Sequence, residues 1–501
     1  MLLNLLMAVA ALAGEMKDSP DLEHCDGAKD ARRPRAGICN GQDVRCPGDA
    51  LNAQLSILPT RTLKALAGST AEKPARLRVL FYGQSIVGQK WDPLVIAELK
   101  RRYPTAIIES ENRAIGGFTS PALSRTAESD LYPYYPDLLF FHVYGPMDRY
   151  EEIIRKVRER TTAEIVLWTS HLDRASSDAR EKIEKAAVEQ DARSKAIFDV
   201  AARYGCMVVD LRRKWSRMML EKNYTPDNLL ADTIHMNVKA PGFPAYARFL
   251  YEELPLAVPT GARPQPCGTI EEVAVDDPRV KRLADGSLEL AFDGNRVVAV
   301  SDGTGASPCR VTLDGKEPKT FPDMFYATRP SKLASSWMPM IMHVYKAKDA
   351  LPVEEDWTLT YIEGTKSLGQ PIHYRVDGSV TGFDGEGWNT NDFRSVSGRA
   401  VILRNDFHTW QYDYFVKQRG AKARDSVPGQ KVTWSVKPLF ADPYAPQPAG
   451  TRTPLVQNCP NGPHRLVVEK SSNRRIVESS NQTSQTSPLG ISSFIVYRPA
   501  R

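Results

Sequence analysis

The sequence lacks several features that would assign it to a large class of proteins. No apolar run in its 501 residues approaches the ~20 residues of a membrane span, so none is expected in the mature protein. Its 66 Lys and Arg are offset by 60 Asp and Glu, and it has no basic block with interleaved aromatics, which argues against nucleic acid as a partner. The sequence also has no repeat of fixed period.

Cysteine is scarce, with seven residues and no C-x-x-C pair, so a zinc site is not expected. Cys25, Cys39 and Cys46 lie in a leader rich in Gly, Pro and Asp, where a disulfide would be plausible after export, with the pairing left open. Cys206 lies in an apolar run and is predicted to be a small buried hydrophobe.

Residues 2–14 form an apolar run that ends in small residues, as in a secretory signal. We therefore predict a signal peptide over 1–14 and a secreted or periplasmic protein, followed by an N-terminal surface extension over 15–75. Because a basic n-region is absent, the start of a cytosolic protein is the alternative.

The remaining chain predicts two domains. Over 76–256 strand patterns alternate with helical ones, which indicates a three-layer α/β domain with a parallel sheet. The strands are predicted at 79–82, 106–110, 138–144, 164–168 and 207–211, and the helices at 92–102, 148–160, 178–204 and 240–254. After a proline-rich linker at 257–268, short alternating runs over 269–501 predict an all-β, sandwich-like domain.

Ser85 follows the first predicted strand, after Gly83 and Gln84. In open α/β sheets the ligand crevice lies outside the carboxyl ends of the strands, so Ser85 is placed where chemistry would occur. A serine hydroxyl is a weak nucleophile and needs a base, which in turn needs an orienting group. Asp232 and His235 have the residue types for both roles.

Two glycines, Gly116 and Gly117, follow the second predicted strand. Paired glycines allow a tight turn that directs backbone N–H groups at a substrate oxygen, as in an oxyanion hole. Taken alone, the pair is equally consistent with an ordinary βα turn.

Together, and in this order, these segments resemble the SGNH (GDSL-type) hydrolase family over about residues 77–254. The resemblance implies a flavodoxin-like α/β fold and a reaction that requires no metal or organic cofactor. It implies Ser85 as nucleophile, His235 as base and Asp232 as its orienter. Gly117 or Gly116, together with the Ser85 N–H, would supply the oxyanion donors.

Two blocks depart from the family pattern. Gln84 replaces the aspartate of the usual Gly-Asp-Ser, and the third block, which begins at His142, has no asparagine donor. Losing one oxyanion donor typically costs ~3–4 kcal/mol, so either another donor substitutes or the reaction differs. The candidate substitutes and further substrate contacts are Gln84, Asn112, Tyr144, the Gly145 N–H, His142 and His171.

The β-rich half holds five of the eight tryptophans. Aromatic side chains there suit stacking on sugar rings, although core packing explains most of them equally well. The exception is Trp388, which turn residues surround over 382–391 and which we predict to be an exposed ring on a loop.

Three hypotheses follow. The first is a serine esterase that removes acyl groups, for example acetyl, from a carbohydrate or an acylated small molecule. The second keeps the fold without ester hydrolysis, as a carbohydrate-binding protein or as a glycosidase-type enzyme using carboxylates such as Asp232. The third, a structural or adhesion module, leaves the pair of Asp232 and His235 unexplained.

Overall fold

The computed structural model describes residues 56–305, 307–330, 341–364, 371–407, 428–445, 447–470 and 489–500. The predicted signal peptide, most of the predicted extension and Cys25, Cys39 and Cys46 lie outside the described residues. Within them, an α/β unit precedes an antiparallel β-rich region, which confirms the predicted fold class. No helix in these ranges is long and apolar enough to cross a membrane.

The α/β unit has a five-stranded parallel sheet and, outside it, the short strand β1, Ile57–Leu58. The strands of the sheet are β2 Arg76–Gly83, β3 Ile107–Asn112, β4 Leu138–His142, β5 Glu164–Trp168 and β6 Met207–Val209. β2 to β6 pair in the order β3-β2-β4-β5-β6. Every residue of β4 and β5 is buried, as expected for parallel strands covered on both faces.

Helices cover both faces of this sheet. They are α1 Thr60–Ala67, α2 Ser85–Gly88, α3 Asp92–Arg102, α4 Ser120–Asp130, α5 Met147–Arg160, α6 Arg180–Val188, α7 Ala192–Tyr204, α8 Leu211–Lys222, α9 Pro226–Leu229 and α10 Gly242–Tyr251. Alternate residues of β2 enter different cores: Val79 and Phe81 one, Leu80 and Tyr82 the other. Two apolar cores on opposite faces of one sheet make the three layers.

The helices differ from the prediction in two ways. The helix predicted over 178–204 is divided into α6 and α7, because the side chain of Asp191 accepts a hydrogen bond from the Ser194 N–H and starts a new helix. The longest helices that were not predicted are α4 and α8, and α8 begins in the same way at Asp210.

The chain from residue 56 to 67 belongs to the α/β unit, which corrects its assignment to a surface extension. Leu63 and Leu66 of α1 are buried in the core. The buried carboxylate of Glu164 accepts hydrogen bonds from the backbone N–H groups of Arg61 at 3.0 Å and Thr62 at 2.7 Å. These donors belong to the first turn of α1, where a helix leaves its N–H groups unpaired.

The second half of the predicted linker 257–268 is also fixed to this unit. Strand β7, Arg263–Pro264, pairs in parallel with β1. Next to it, buried Gln265 accepts from the Ile165 N–H and donates to the Ile165 carbonyl, at 2.8 and 2.9 Å. The same side chain accepts from Arg158 at 2.8 Å.

The β-rich region contains β8 Thr269–Ala274, β9 Val280–Arg282, β10 Leu288–Ser301, β11 Cys309–Leu313, β12 Phe325–Ala327, β13 Glu355–Gly364, β14 Ile372–Gly378, β15 Gly382–Trp388, β16 Phe393–Arg394, β17 Val401–Ile402, β18 Lys431–Pro438, β19 Arg452–Lys470 and β20 Ile491–Arg498. One sheet has the order β11-β19-β10-β20-β8, with β9 on β10, and another has the order β12-β18-β13-β14-β15. Each sheet buries its own apolar cluster.

Segment 382–391, predicted as a loop, forms β15 as far as Trp388. The glycines of this segment favour a turn, but Gly387 is required instead by the close approach of two aromatic side chains to its backbone. A Cβ there would lie 2.7 Å from the Phe393 ring and 3.0 Å from the Tyr374 hydroxyl.

Polar and aromatic contacts join the α/β unit to the antiparallel sheet that contains β10 and β20. The Tyr135 hydroxyl donates to Asn295 at 2.9 Å, and Asn295 donates to the Arg160 carbonyl at 2.9 Å. The Arg296 guanidinium lies over the rings of both Tyr135 and Tyr497. The two parts are therefore in direct side-chain contact.

We expect Gln265→Ala to lower the free energy of unfolding by about 2–4 kcal/mol, because it removes the side-chain partner of the buried Ile165 N–H and carbonyl and one acceptor of Arg158. Urea denaturation measures this change. Gln447→Ala, at an exposed glutamine, is the control, and equal stability of the two variants would contradict the prediction.

Candidate active site

Gly83 determines where the first candidate residue lies. A Cβ at this position would lie 2.2 Å from the His142 carbonyl oxygen and 2.6 Å from the Val87 side chain, so only glycine fits. The chain continues through extended Gln84 into Ser85, the first residue of α2. Ser85 therefore lies at the carboxyl edge of the sheet, next to the end of β4.

Asp232 and His235 lie on a tight turn that reaches Ser85. One Asp232 oxygen accepts from the backbone N–H groups of Ile234 and His235, at 2.8 and 2.7 Å. The other lies 2.8 Å from His235 Nδ1, and His235 Nε2 lies 2.8 Å from Ser85 Oγ. Because a carboxylate only accepts, Nδ1 carries a proton, and in that tautomer of the imidazole Nε2 is the nitrogen that can accept from the Ser85 hydroxyl.

The Asp232 carboxylate is held in its ionised form. Burial alone would raise its pKa, but hydrogen bonds from the His235 ring and from the N–H groups of Ile234 and His235 lower the pKa to about 2. An ionised carboxylate at Nδ1 stabilises the imidazolium that forms when His235 takes a proton.

Gln89 connects the nucleophile's helix to the histidine turn. Its side chain donates to the Met236 carbonyl at 2.8 Å and accepts from the Met236 N–H at 3.1 Å. Sequence reasoning missed Gln89, since nothing in the pattern near Ser85 indicates a contact 147 residues away along the chain.

His171 is hydrogen-bonded to the same turn. It is buried, and its Nε2 donates to the Ile234 carbonyl at 2.7 Å. Burial lowers its pKa to about 4, so the ring is neutral at neutral pH. With 2% of its surface exposed and Nε2 committed to the Ile234 carbonyl, the ring does not offer the predicted contact with a substrate in this structure.

The glycine turn lies beside Ser85. The Ile115 N–H donates to the Gly83 carbonyl at 2.9 Å, which ties the start of the turn to the end of β2. Gly117 has a φ of 81°, in the left-handed region that favours glycine. The structure thus places Gly116 and Gly117 next to the end of the nucleophile's strand.

Two of the predicted donors or contacts are not available to a substrate. Both N–H groups of the Asn112 amide are used, on the Val87 carbonyl at 2.9 Å and on Asp92 at 2.8 Å. His142 is 0% exposed and stacks on Trp168, with Nε2 3.0 Å from Ser170 Oγ. Burial holds the pKa of His142 well below its usual value, so it is a neutral core residue.

The other three candidates are Gln84, Tyr144 and the Gly145 N–H. Gln84, next to the nucleophile, is 7% exposed. The Tyr144 ring packs edge-on against His142 and lies under the Arg193 guanidinium. Arg193 also donates to the Gly145 carbonyl at 3.1 Å. Their contact with a substrate stays a prediction.

We expect the ionised Asp232 to stabilise the fold in a pH-dependent way. Because its pKa is lowered in the folded state, the contribution is complete above about pH 4 and is lost as the pH falls towards 2. Since the group is partly exposed, Asp232→Asn should cost about 1–2 kcal/mol at pH 6 and little near pH 2.

Urea denaturation across this pH range measures the difference between the two proteins. Asp148→Asn, at an exposed carboxylate, is the control. A cost of Asp232→Asn that does not change with pH would contradict the prediction.

No protein-family model and no curated protein matches the chain. Among solved structures, a two-domain esterase active on acetylated mannans shares 13% identity, with a TM-score of 0.32, over 88% of this chain and 94% of its own. A variant of an acetyl xylan esterase from Geobacillus stearothermophilus shares 18%, with a TM-score of 0.30, over 37% and 97%. An α/β hydrolase from the metagenome of Lake Arreo, Spain, shares 19%, with a TM-score of 0.28, over 36% and 93%. These values are too low to transfer an activity, so we base the functional proposal on this chain's own geometry.

Proposed function

We propose that this protein is an SGNH-type serine esterase that removes acyl groups, for example acetyl, from a carbohydrate or related polar substrate. The observation that carries the proposal is the continuous hydrogen-bonded series from Ser85 Oγ through His235 to Asp232, with 2.8 Å at both steps. A serine, a base and an orienting carboxylate in this order are what acyl transfer through a covalent intermediate requires.

In the proposed reaction, His235 Nε2 takes the hydroxyl proton while Ser85 Oγ attacks the ester carbonyl. Asp232 stabilises the imidazolium through Nδ1. His235 then protonates the leaving alcohol as the acyl-enzyme forms. Water, activated by the same imidazole, releases the acid and restores Ser85.

The proposed oxyanion site combines the Ser85 N–H with the Gly116–Gly117 turn. The first N–H groups of a helix have no partner within it, and Ser85 is the first residue of α2. With Asn112 committed elsewhere, Gln84, Tyr144 and the Gly145 N–H are the remaining candidates for the third donor.

The exposure of the site supports a polar and bulky substrate. The side chains of Asp232 and His235 are 14% and 23% exposed, and Ser85 is half-buried. An acyl group carried on the surface of a carbohydrate could therefore reach Ser85 Oγ without passing through an apolar tunnel.

The glycosidase alternative is less well supported by the same contacts. A glycosidase needs one carboxyl group that donates a proton to the leaving oxygen. Asp232 instead accepts three hydrogen bonds, and its pKa of about 2 keeps it ionised. Its geometry suits the orientation of His235.

Ser85→Ala should lower kcat/KM for 4-nitrophenyl acetate by at least about 10³-fold, because it removes the attacking oxygen. It should also abolish labelling by a serine-directed fluorophosphonate. The control is Ser216→Ala, which removes a buried hydroxyl bonded to the Arg212 carbonyl. Undiminished turnover or labelling of Ser85→Ala would refute the esterase proposal.

Gln89→Ala should lower kcat about ten- to a hundredfold with little change in KM, since it frees the histidine turn from the nucleophile's helix. Gln89→Glu retains an acceptor for the Met236 N–H and should recover part of the loss. Steady-state kinetics separate the two parameters. An effect on KM alone would show that Gln89 does not position the catalytic residues.

A further inference from the structure

In the sheet of order β12-β18-β13-β14-β15, strands β14 and β15 have one face buried in an apolar cluster and another whose side chains are partly exposed to solvent. Ile372, Tyr374 and Val376 are buried in the apolar cluster, so the alternate residues of β14 point to the other side. Their partners on β15 lie on the same side. We call this surface the β14–β15 face; it consists of His373, Arg375, Asp377, Phe383, Glu386 and Trp388.

Trp388 presents an aromatic ring to solvent on this face. It is 38% exposed, and one side of the ring stacks on His373, with centroids 4.7 Å apart and an interplanar angle of 8°. His373 Nε2 lies 3.2 Å from a Glu386 carboxylate oxygen, which fixes the supporting ring. In the described part of the chain β15 is an edge strand, so the other side of Trp388 faces away from the sheet.

Phe383 repeats this arrangement at the other end of β15. It is 56% exposed, and the Arg375 guanidinium lies 4.8 Å from its ring centroid. Asp377 holds Arg375 in place, with 2.8 Å between Oδ2 and Nε. The strand partners of the two rings, His373 and Asp377, are four residues apart, which separates the rings by about 13 Å.

The guanidinium of this face is already paired, because Arg375 binds Asp377. Glu386 contacts the His373 ring. The face therefore offers no free guanidinium to an anionic ligand, and its carboxylate oxygens retain capacity to accept from hydroxyl groups. Two separate rings with polar groups between them also differ from the continuous apolar core of a protein interface.

We propose that the β14–β15 face binds a neutral polysaccharide chain, whose sugar rings stack on Trp388 and Phe383 while hydroxyl groups bond to Glu386 and Asp377. A pyranose ring has a C–H face that packs on an aromatic ring and a hydroxyl rim that needs polar partners, and this face offers both. The choice of a polysaccharide rests on the proposed function. A second site would hold a polymeric substrate at high local concentration around Ser85.

The test uses the full chain with Ser85→Ala, so that the ligand is not altered. Native electrophoresis in gels that contain soluble arabinoxylan, glucomannan or mixed-linkage β-glucan measures retardation. We expect at least one polymer to retard the protein. Trp388→Ala combined with Phe383→Ala should raise the apparent Kd for the polymer by about tenfold or more, because aromatic anchors carry most of the binding energy. Leu256→Ala, which shortens an exposed apolar side chain of the other unit, should bind unchanged.

Absence of retardation by all three polymers, or equal retardation of the double variant, would overturn the proposal. So would self-association in analytical ultracentrifugation that the double variant loses, since the occupant would then be a second copy of the chain. In the chain that retains Ser85, the double variant should hydrolyse 4-nitrophenyl acetate normally. Binding that depends on Trp388 without any turnover by Ser85 would leave this site standing and reject only the esterase proposal.

Discussion

The contact between Gly83 and the His142 carbonyl oxygen is the constraint on which the candidate site depends. It brings the ends of β2 and β4 so close that no side chain fits at position 83. The same glycine accepts the hydrogen bond that anchors the turn of Gly116 and Gly117, and Ser85 follows two residues later. The nucleophile and the candidate oxyanion site are therefore both located by backbone contacts of Gly83.

The base is positioned by a different principle. His235 lies on a turn that is closed by a β-bridge between Leu230 and Met236. Hydrogen bonds to the side chains of Asp232, Gln89 and His171 hold this turn in place. Since Gln89 is the C-terminal neighbour of α2, a displacement of Ser85's helix would carry the histidine turn with it. The distance between Ser85 Oγ and His235 Nε2 is thereby protected against small movements of either segment.

How far the sequence predicted the structure depended on whether the signal was local. The apolar strands, the glycine turn and the short spacing of Asp232 and His235 are local patterns, and they led to the fold class and to the residues of the hydrogen-bonded series. The committed amide of Asn112, the burial of His142 and the link from Gln89 to Met236 depend on contacts that form only after folding. Trp388 shows both sides of this limit: its exposure followed from composition, whereas its place in a strand depended on packing around Gly387.

Strands β1 and β7 lie side by side, so the chain enters and leaves the α/β unit at points about one strand spacing, roughly 5 Å, apart. A folded unit with adjacent ends can be inserted into a surface loop of another protein without stretching it. With Gln265 kept inside the unit, the same geometry permits a circular permutant in which a short linker joins the ends beside β1 and β7 and new ends are opened in an exposed turn. The unit therefore has the end geometry of an insertable domain, which can be placed in another polypeptide while its internal hydrogen bonds remain intact.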